Sequence, residues 1–252
     1  MADNLQDMIG ACNPELFGYV SALEFSYSRR LDVVCRGFSG WGTHFALRAI
    51  SLQMRVLPAN THGSKTRLLI IFFGANDACV PGTDQYVSKD RFQDNLSYMV
   101  NYKALHEHNP NIRILLVGPP PICAHRSGDK DKENGRLPRR TAQRTREYAI
   151  AAKDAAQKLG VPYVDLWTTF MQEICWKEGD PLIGDLTEPR SKHLGELLPD
   201  GLHPSGEGYR VIFAALMESI HENFSELVPE ALEFTIPPWD KLECPADLAL
   251  VS

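Results

Sequence analysis

Two residues that can activate a hydroxyl nucleophile, Asp200 and His203, stand three positions apart near the end of the chain. They lie in a turn rich in glycine and proline, just before an apolar pattern at helical spacing. At this spacing the carboxylate can hold one imidazole nitrogen while the other faces a cleft, which orients a general base. An aspartate that caps the following helix, beside an incidental histidine, would give the same pattern. The pair therefore needs support from the rest of the chain.

Composition limits the classes of function open to this chain. Its 252 residues can bury a large core, and a single domain is expected. The net charge of -6 argues against a nucleic-acid partner, because phosphate binding needs a basic face. Six scattered cysteines without metal-ligand spacing predict free thiols in a reducing compartment and no metal site. With no stretch long enough for a membrane span and no secretion signal, we expect a cytoplasmic protein.

Strand-like and helix-like segments alternate along the chain. Short apolar runs predict strands, and apolar residues at helical spacing predict helices between them. The predicted strands cover residues 31–35, 67–73, 112–117 and 161–166, and the predicted helices cover 14–28, 43–52, 89–106, 141–159 and 211–220. This alternation favours a parallel sheet with helices on both faces.

Two segments do not fit this alternation. Residues 125–140 are almost entirely charged and polar, which indicates a solvated loop or, alternatively, a lid over a site. Residues 228–252 are rich in proline and carry a few apolar side chains. We expect them to pack as a tail on a domain formed by residues 1–227, with an oligomer contact as the alternative.

A glycine and an asparagine occupy two loops that follow predicted strands, where parallel sheets gather their ligand-binding groups. Gly40 lies in a glycine-rich turn after residues 31–35 and can present a bare backbone N–H to an anion. Asn76 follows residues 67–73, and its side-chain amide can donate to the same point. Taken singly, each also fits a structural role in a turn or helix cap. Placed in this order ahead of the Asp-x-x-His pair, Gly40 and Asn76 predict oxyanion donors, and the pair predicts a base.

These residues stand in segments that resemble the sequence blocks of the SGNH (GDSL-type) hydrolase superfamily, and most closely its branch of isoamyl-acetate-hydrolysing esterases. RRLDVVCRGFSGWGT is similar to the second block, IIFFGANDA to the third and DGLHPSGEGY to the last. Pro237-Pro238-Trp239 is similar to the same branch. The resemblance spans roughly residues 14–240.

The resemblance implies the flavodoxin-like three-layer αβα sandwich with a parallel sheet, and hydrolysis of short-chain acyl esters through an acyl-enzyme. It assigns the Gly40 N–H and the Asn76 amide to an oxyanion hole. His203 would be the general base and Asp200 the residue that orients it. The substrate would be a small-molecule ester, and neither a metal nor an organic cofactor would be needed.

The block that carries the nucleophilic serine is the one that the chain does not match. A loose alignment places Asn4 at the nucleophile, and no serine precedes Ser21. Asparagine cannot form an acyl-enzyme. Three situations would account for this: a truncated chain that lacks its natural start, an inactive paralogue that binds an ester or a partner protein, or an alternative nucleophile such as Ser39.

The first strand of the fold is missing together with that block. In the strand order 2-1-3-4-5 the first strand lies inside the sheet, between its second and third neighbours. Its loss would leave buried backbone groups unpaired at about 1–3 kcal/mol each. A domain that is stable by only about 5–15 kcal/mol could hardly absorb this cost. The sequence therefore favours a chain that lacks its natural start.

Overall fold

The computed structural model of the protein describes residues 17–55 and 66–241. Within these ranges three parallel strands form one sheet in the order β1-β2-β3: β1 (Leu68–Phe72), β2 (Arg113–Val117) and β3 (Tyr163–Val164). The register pairs Leu68 with Arg113 and continues to Phe72 with Val117. The predicted strands 67–73 and 112–117 are confirmed. Of the predicted strand 161–166 only Tyr163–Val164 is a strand, and Leu166 begins a helix.

Nine helices accompany the sheet in the part of the chain that the structure describes. They are α1 (Tyr19–Ser26), α2 (Thr43–Arg55), α3 (Lys89–Val100), α4 (Lys103–His108), α5 (Ala124–Glu133), α6 (Ala142–Leu159), α7 (Leu166–Glu173), α8 (Lys192–Leu197) and α9 (Gly206–Asn223). Short 3-10 turns follow at Ser225–Leu227, Pro229–Ala231 and Trp239–Lys241. None of the described helices has the length and apolar character that crossing a bilayer requires.

The strand side chains alternate between two hydrophobic cores, one on each face of the sheet, because successive residues of a strand face opposite ways. Leu115 and Val117 of β2 pack in a core shared with α1, α7 and α9. Ile114 and Leu116 pack in a second core shared with α2, α3 and α6. The helices therefore cover both faces and produce three layers.

Residues 31–35 form no strand within the described part of the chain, so the prediction of a strand there is wrong. Leu31, Val33 and Cys35 are half-buried against the first core, while Asp32 and Val34 are exposed. This alternation is that of a strand, yet no described residue supplies the hydrogen-bonded neighbour that a strand needs. The predicted loss of the family's first strand concerns residues before 17, which lie outside the described ranges.

The charged segment 125–140 is only in part the solvated loop that the sequence predicts: residues 132–138 are exposed, but the rest differs. Most of its first half belongs to α5, and Asp131 and Arg140 are almost fully buried. Asp131 Oδ1 forms an ion pair with Arg139 Nη2 at a distance of 2.7 Å. Charged side chains can be buried when they are paired and hydrogen-bonded, and sequence polarity alone does not reveal the pairing.

The described part of the tail, up to residue 241, contacts the end of α1. The backbone N–H of Thr235 donates to the carbonyl of Arg29 at 2.7 Å. The ring of Phe234 lies 4.5 Å from the Arg29 guanidinium carbon and 4.3 Å from that of Arg30. The contacts join residues about 200 positions apart in sequence.

Gly118, directly after β2, allows the backbone to pass close to Tyr163 of β3. A Cβ at Gly118 would lie 1.9 Å from the Tyr163 hydroxyl, which donates a 2.8 Å hydrogen bond to the carbonyl of Ala149. We expect Gly118→Ala to lower the free energy of unfolding by about 1–3 kcal/mol in urea titrations, because the added methyl group would overpack the core of the variant. Gly37→Ala is the control, since its Cβ would meet its nearest neighbour at 3.8 Å. Equal stability of the two variants would contradict the prediction.

Candidate functional site

Asp200 and His203 form a direct hydrogen bond in the turn between α8 and α9. The distance from His203 Nδ1 to Asp200 Oδ2 is 2.5 Å. The other carboxylate oxygen, Oδ1, accepts the backbone N–H groups of Leu202 at 2.9 Å and of His203 at 2.8 Å. Both carboxylate oxygens therefore accept hydrogen bonds. In the neutral imidazole, Nδ1 then carries the proton and the lone pair is on Nε2.

The environment of Asp200 keeps its carboxylate ionised. Burial alone would raise the pKa of Asp200. The hydrogen bond and charge of His203 and the backbone donors lower it by more than burial raises it, so the pKa falls from 3.8 to about 2. The alternative interpretation, in which Asp200 caps the next helix, is wrong. Ser205 is the N-cap of α9, and its hydroxyl accepts the N–H of Gly208 at 3.2 Å.

Gly201 docks this turn at the carboxyl end of the sheet. Its carbonyl accepts the N–H of Cys123 at 2.8 Å, in the loop that leads from β2 to α5. Its φ of +85° is in the left-handed region, and a Cβ would lie 2.5 Å from the Cys123 carbonyl and the Ser127 nitrogen. Only glycine fits this position without strain.

Gly40 and Asn76 are brought together by the side chain of Gln85. Its Nε2 donates to the Gly40 carbonyl at 2.8 Å and to Asn76 Oδ1 at 3.2 Å. Asn76 Nδ2 in turn donates to the carbonyl of Trp41 at 3.0 Å. The glycine-rich turn thus lies against the loop that follows β1.

The buried carboxylate of Asp77 anchors the same turn to the end of β1. Its Oδ1 accepts the backbone N–H of Thr43 at 2.8 Å and the Thr43 hydroxyl at 2.6 Å. The Thr43 hydroxyl also accepts from Asn95 Nδ2 at 2.8 Å. A Cβ on Gly42 would lie 3.1 Å from the carboxylate, so the glycine permits the close approach.

The two predicted halves of the site lie at the same edge of the sheet. A Cβ on Gly74, after β1, would come within 2.9 Å of Pro119, after β2, so the loops that follow these strands are adjacent. The turn of Gly201 rests on the second of these loops. The structure therefore pairs Gly40 with Asn76, pairs Asp200 with His203, and relates the pairs through neighbouring loops.

The nucleophile is the member of the site that the structure does not place. Asn4, aligned with the family's serine, lies outside the described residues. Ser39, next to Gly40, has a buried hydroxyl that finds no hydrogen-bond partner among the described residues.

Sequence reasoning missed three residues that surround Asn76. Arg140 Nη2 donates to Asn76 Oδ1 at 2.8 Å, and Arg139 Nη1 donates to Gln85 Oε1 at 3.2 Å. The sequence does show adjacent arginines at 139 and 140, but within a charged segment they indicate a solvated surface and not a contact with Asn76. Among the described residues no group of His, Cys, Asp and Glu side chains has the geometry of a metal site.

Comparison with known proteins relates this chain to a family of lipases and acylhydrolases. The model of the GDSL-like Lipase/Acylhydrolase family matches residues 7–211. A GDSL esterase/lipase of Arabidopsis thaliana is 32% identical over 228 residues, which cover 87% of this chain and 84% of that protein. The isoamyl acetate-hydrolyzing esterase of Saccharomyces cerevisiae is 29% identical over 221 residues, covering 87% and 81%. The predicted resemblance to that branch is confirmed.

Solved structures confirm the predicted fold class, the flavodoxin-like SGNH hydrolase fold. An alpha/beta hydrolase enzyme from the metagenome of Lake Arreo, Spain, superposes with a TM-score of 0.55 at 19% identity, covering 81% of each chain. A catalytic mutant of an acetylxylan esterase from Geobacillus stearothermophilus gives a TM-score of 0.53 at 19% identity, covering 81% of this chain and 79% of the other. At 19% sequence identity these superpositions show the fold alone.

Asp77 should give the protein a measurable dependence of stability on pH. Burial raises the pKa of Asp77 above 3.8, and the hydrogen bonds from Thr43 offset this only in part. As pH rises above 3.8, the unfolded chain ionises first, so the free energy of unfolding falls until the raised pKa is passed. We expect Asp77→Asn to remove this decline in urea titrations at increasing pH. Asp84→Asn, at an exposed carboxylate, is the control; an unchanged decline in Asp77→Asn would contradict the assignment.

Proposed function

We propose, since the chain belongs to the GDSL-like lipase/acylhydrolase family, that it hydrolyses carboxylic esters with short acyl chains. The observation that carries the proposal is the 2.5 Å hydrogen bond between His203 Nδ1 and Asp200 Oδ2. This pair lies at the same edge of the sheet as the candidate oxyanion donors Gly40 and Asn76. A base and an oxyanion hole together are the machinery of acyl transfer.

His203 would serve as the general base and then as the general acid. A hydroxyl nucleophile transfers its proton to Nε2 as its oxygen attacks the ester carbonyl. The imidazolium that forms is stabilised by the ionised carboxylate of Asp200, and it donates the proton to the departing alcohol. Water then cleaves the acyl-enzyme by the same steps, and the carboxylic acid is released.

The Gly40 N–H and the Asn76 amide would bind the negative oxygen of the tetrahedral intermediate. Both groups are held by hydrogen bonds before any substrate arrives, so little reorganisation is required during the reaction. Loss of one such donor typically raises the barrier by about 2.7–4 kcal/mol. The contribution is largest where water is excluded, because the local dielectric is low.

An apolar surface next to Gly40 supports a small alkyl ester as the substrate. Phe38 stacks on Trp41 with ring centroids 4.3 Å apart, and Phe38 is 49% exposed. These two rings flank the glycine in sequence and offer an apolar contact for an alkyl group. The yeast relative is named for hydrolysing isoamyl acetate, an ester of this kind.

A second candidate function is ester binding without turnover. It is favoured by the absence of serine from residues 1–20, where the alignment places Asn4 at the nucleophile. The oxyanion and base groups would then bind a carbonyl compound but could not form an acyl-enzyme. Ser39 would be the alternative nucleophile, since it adjoins Gly40 and its hydroxyl has no hydrogen-bond partner within residues 17–55 and 66–241.

A fluorophosphonate probe separates these possibilities, because it reacts covalently with activated serines. We expect the 252-residue chain to gain one adduct, identified by intact mass and peptide mapping, and His203→Ala to gain none. Ser39→Ala would lose the adduct if that serine is the nucleophile. Absence of any adduct from the folded chain would contradict ester hydrolysis by these 252 residues and would favour ester binding without turnover.

Asp200→Asn tests the orientation of the base. The substitution removes the negative charge and places an amide against His203 Nδ1, so the imidazole loses its preferred tautomer. In a serine protease the equivalent change lowers kcat about 10⁴-fold, and we expect a loss of that order in short-chain ester hydrolysis. Glu207→Gln is the control, because its side chain is 66% exposed on the neighbouring helix. Similar kcat values for the two variants would contradict the proposed role.

A further inference from the structure

We infer that Arg140 and Gln85 are positioning residues that set the orientation of the Asn76 side-chain amide. The inference rests on the proposed role of Asn76 as an oxyanion donor and adds the groups that make this donor point correctly. Arg140 Nη2 and Gln85 Nε2 both donate to Asn76 Oδ1, at 2.8 and 3.2 Å. Oδ1 therefore has two donors within hydrogen-bond distance.

The chemistry of these partners permits one orientation of the amide. A guanidinium has five N–H donors and no acceptor, so it can face Oδ1 but not Nδ2. Rotation of the Asn76 amide by 180° would place N–H groups against N–H groups and would also break the Nδ2 hydrogen bond to the Trp41 carbonyl at 3.0 Å. One hydrogen of Nδ2 binds that carbonyl, and the other is left for the oxyanion.

Gln85 is itself held in one orientation. Its Oε1 accepts from Arg139 Nη1 at 3.2 Å, so its Nε2 is directed toward the Gly40 carbonyl and Asn76. Arg139 is fixed in turn by Asp131 of α5, which accepts its Nε at 2.8 Å and its backbone N–H at 2.9 Å. A continuous set of hydrogen bonds thus connects α5 to both candidate oxyanion donors.

Burial increases the effect of Arg140 on the amide. The residue is 5% exposed, and its Nε also donates to the Ala75 carbonyl at 3.3 Å, which fixes the plane of the guanidinium. A positive charge next to Oδ1 draws electron density from the amide and makes the Nδ2–H a stronger donor. The benefit is greatest for an oxyanion, so kcat should depend on Arg140 more than KM does.

A double-mutant cycle with Arg140→Met and Asn76→Ala tests the inference through ester hydrolysis. Asn76→Ala should lower kcat about 10²- to 10³-fold, as loss of an oxyanion donor does. Arg140→Met should lower kcat at least about tenfold with little change in KM, and should have almost no further effect in the Asn76→Ala background. Arg140→Lys, which keeps a donor, should recover part of the loss. Additive effects of the two substitutions would overturn the inference.

Arg144→Gln is the matched control. Arg144 binds the next part of the same loop, donating to the carbonyls of Ala78 and Cys79 at 3.2 Å each, but it does not contact Asn76. A loss of kcat in Arg144→Gln equal to that in Arg140→Met would show that general anchoring of the loop is responsible, and would overturn the inference. Gln85→Met provides a second variant if Arg140→Met does not fold.

Nuclear magnetic resonance separates this inference from the proposed function, because it requires no turnover. The side-chain NH₂ signals of Asn76 are assigned by their loss in Asn76→Ala. We expect Arg140→Met and Gln85→Met to shift these signals while most backbone amide signals remain in place. If the protein lacks esterase activity but the signals shift, the proposed function fails and the positioning stands. Unshifted signals in both variants would overturn the inference, whatever the activity.

Discussion

The contact between the Asp77 carboxylate and Thr43 is the interaction on which the candidate site depends. It joins the glycine-rich turn to the loop after β1, 34 residues later in sequence, and its two residues stand close in sequence to Gly40 and to Asn76. The contact buries a carboxylate. Burial disfavours the charged form of Asp77 and so raises its pKa. The two hydrogen bonds from Thr43 and the close approach permitted by Gly42 offset it. A turn rich in glycine would otherwise be free to adopt many conformations.

The central strands and the base could be predicted because their signals are local. Residues 67–73 and 112–117 are nearly continuous apolar runs, a pattern typical of a strand that is covered on both faces. The Asp-x-x-His spacing specified a contact that the turn then forms. The assignments of Gly40 and Asn76 combined position after a strand with a family resemblance; their roles stay predictions, and the structure adds that Gln85 brings the two together.

Other features were not visible in sequence because they depend on distant partners. Residues 31–35 carry a strand pattern, but a strand also needs a neighbour, and side-chain alternation cannot supply one. The charges of residues 125–140 indicate solvent exposure, whereas Asp131 is buried in a pair with Arg139, and Arg140 is buried in contacts with Ala75 and Asn76. Arg140 meets Asn76 over a separation of 64 residues, and no periodicity encodes such a contact. Long-range polar contacts of this kind follow only from the assembled packing.

The two halves of the site differ in how much of the fold each requires. The hydrogen bond between Asp200 and His203 closes within three residues, whereas the contacts of Asn76 with Trp41 and Arg140 span 35 and 64 residues. Local contacts form early and survive partial opening, while contacts distant in sequence require the whole arrangement. The candidate base is thus held largely by contacts within one turn, whereas the candidate oxyanion donors are held by contacts across the folded domain. A partly opened molecule would retain the Asp200–His203 pair but lose the arrangement of the candidate oxyanion donors.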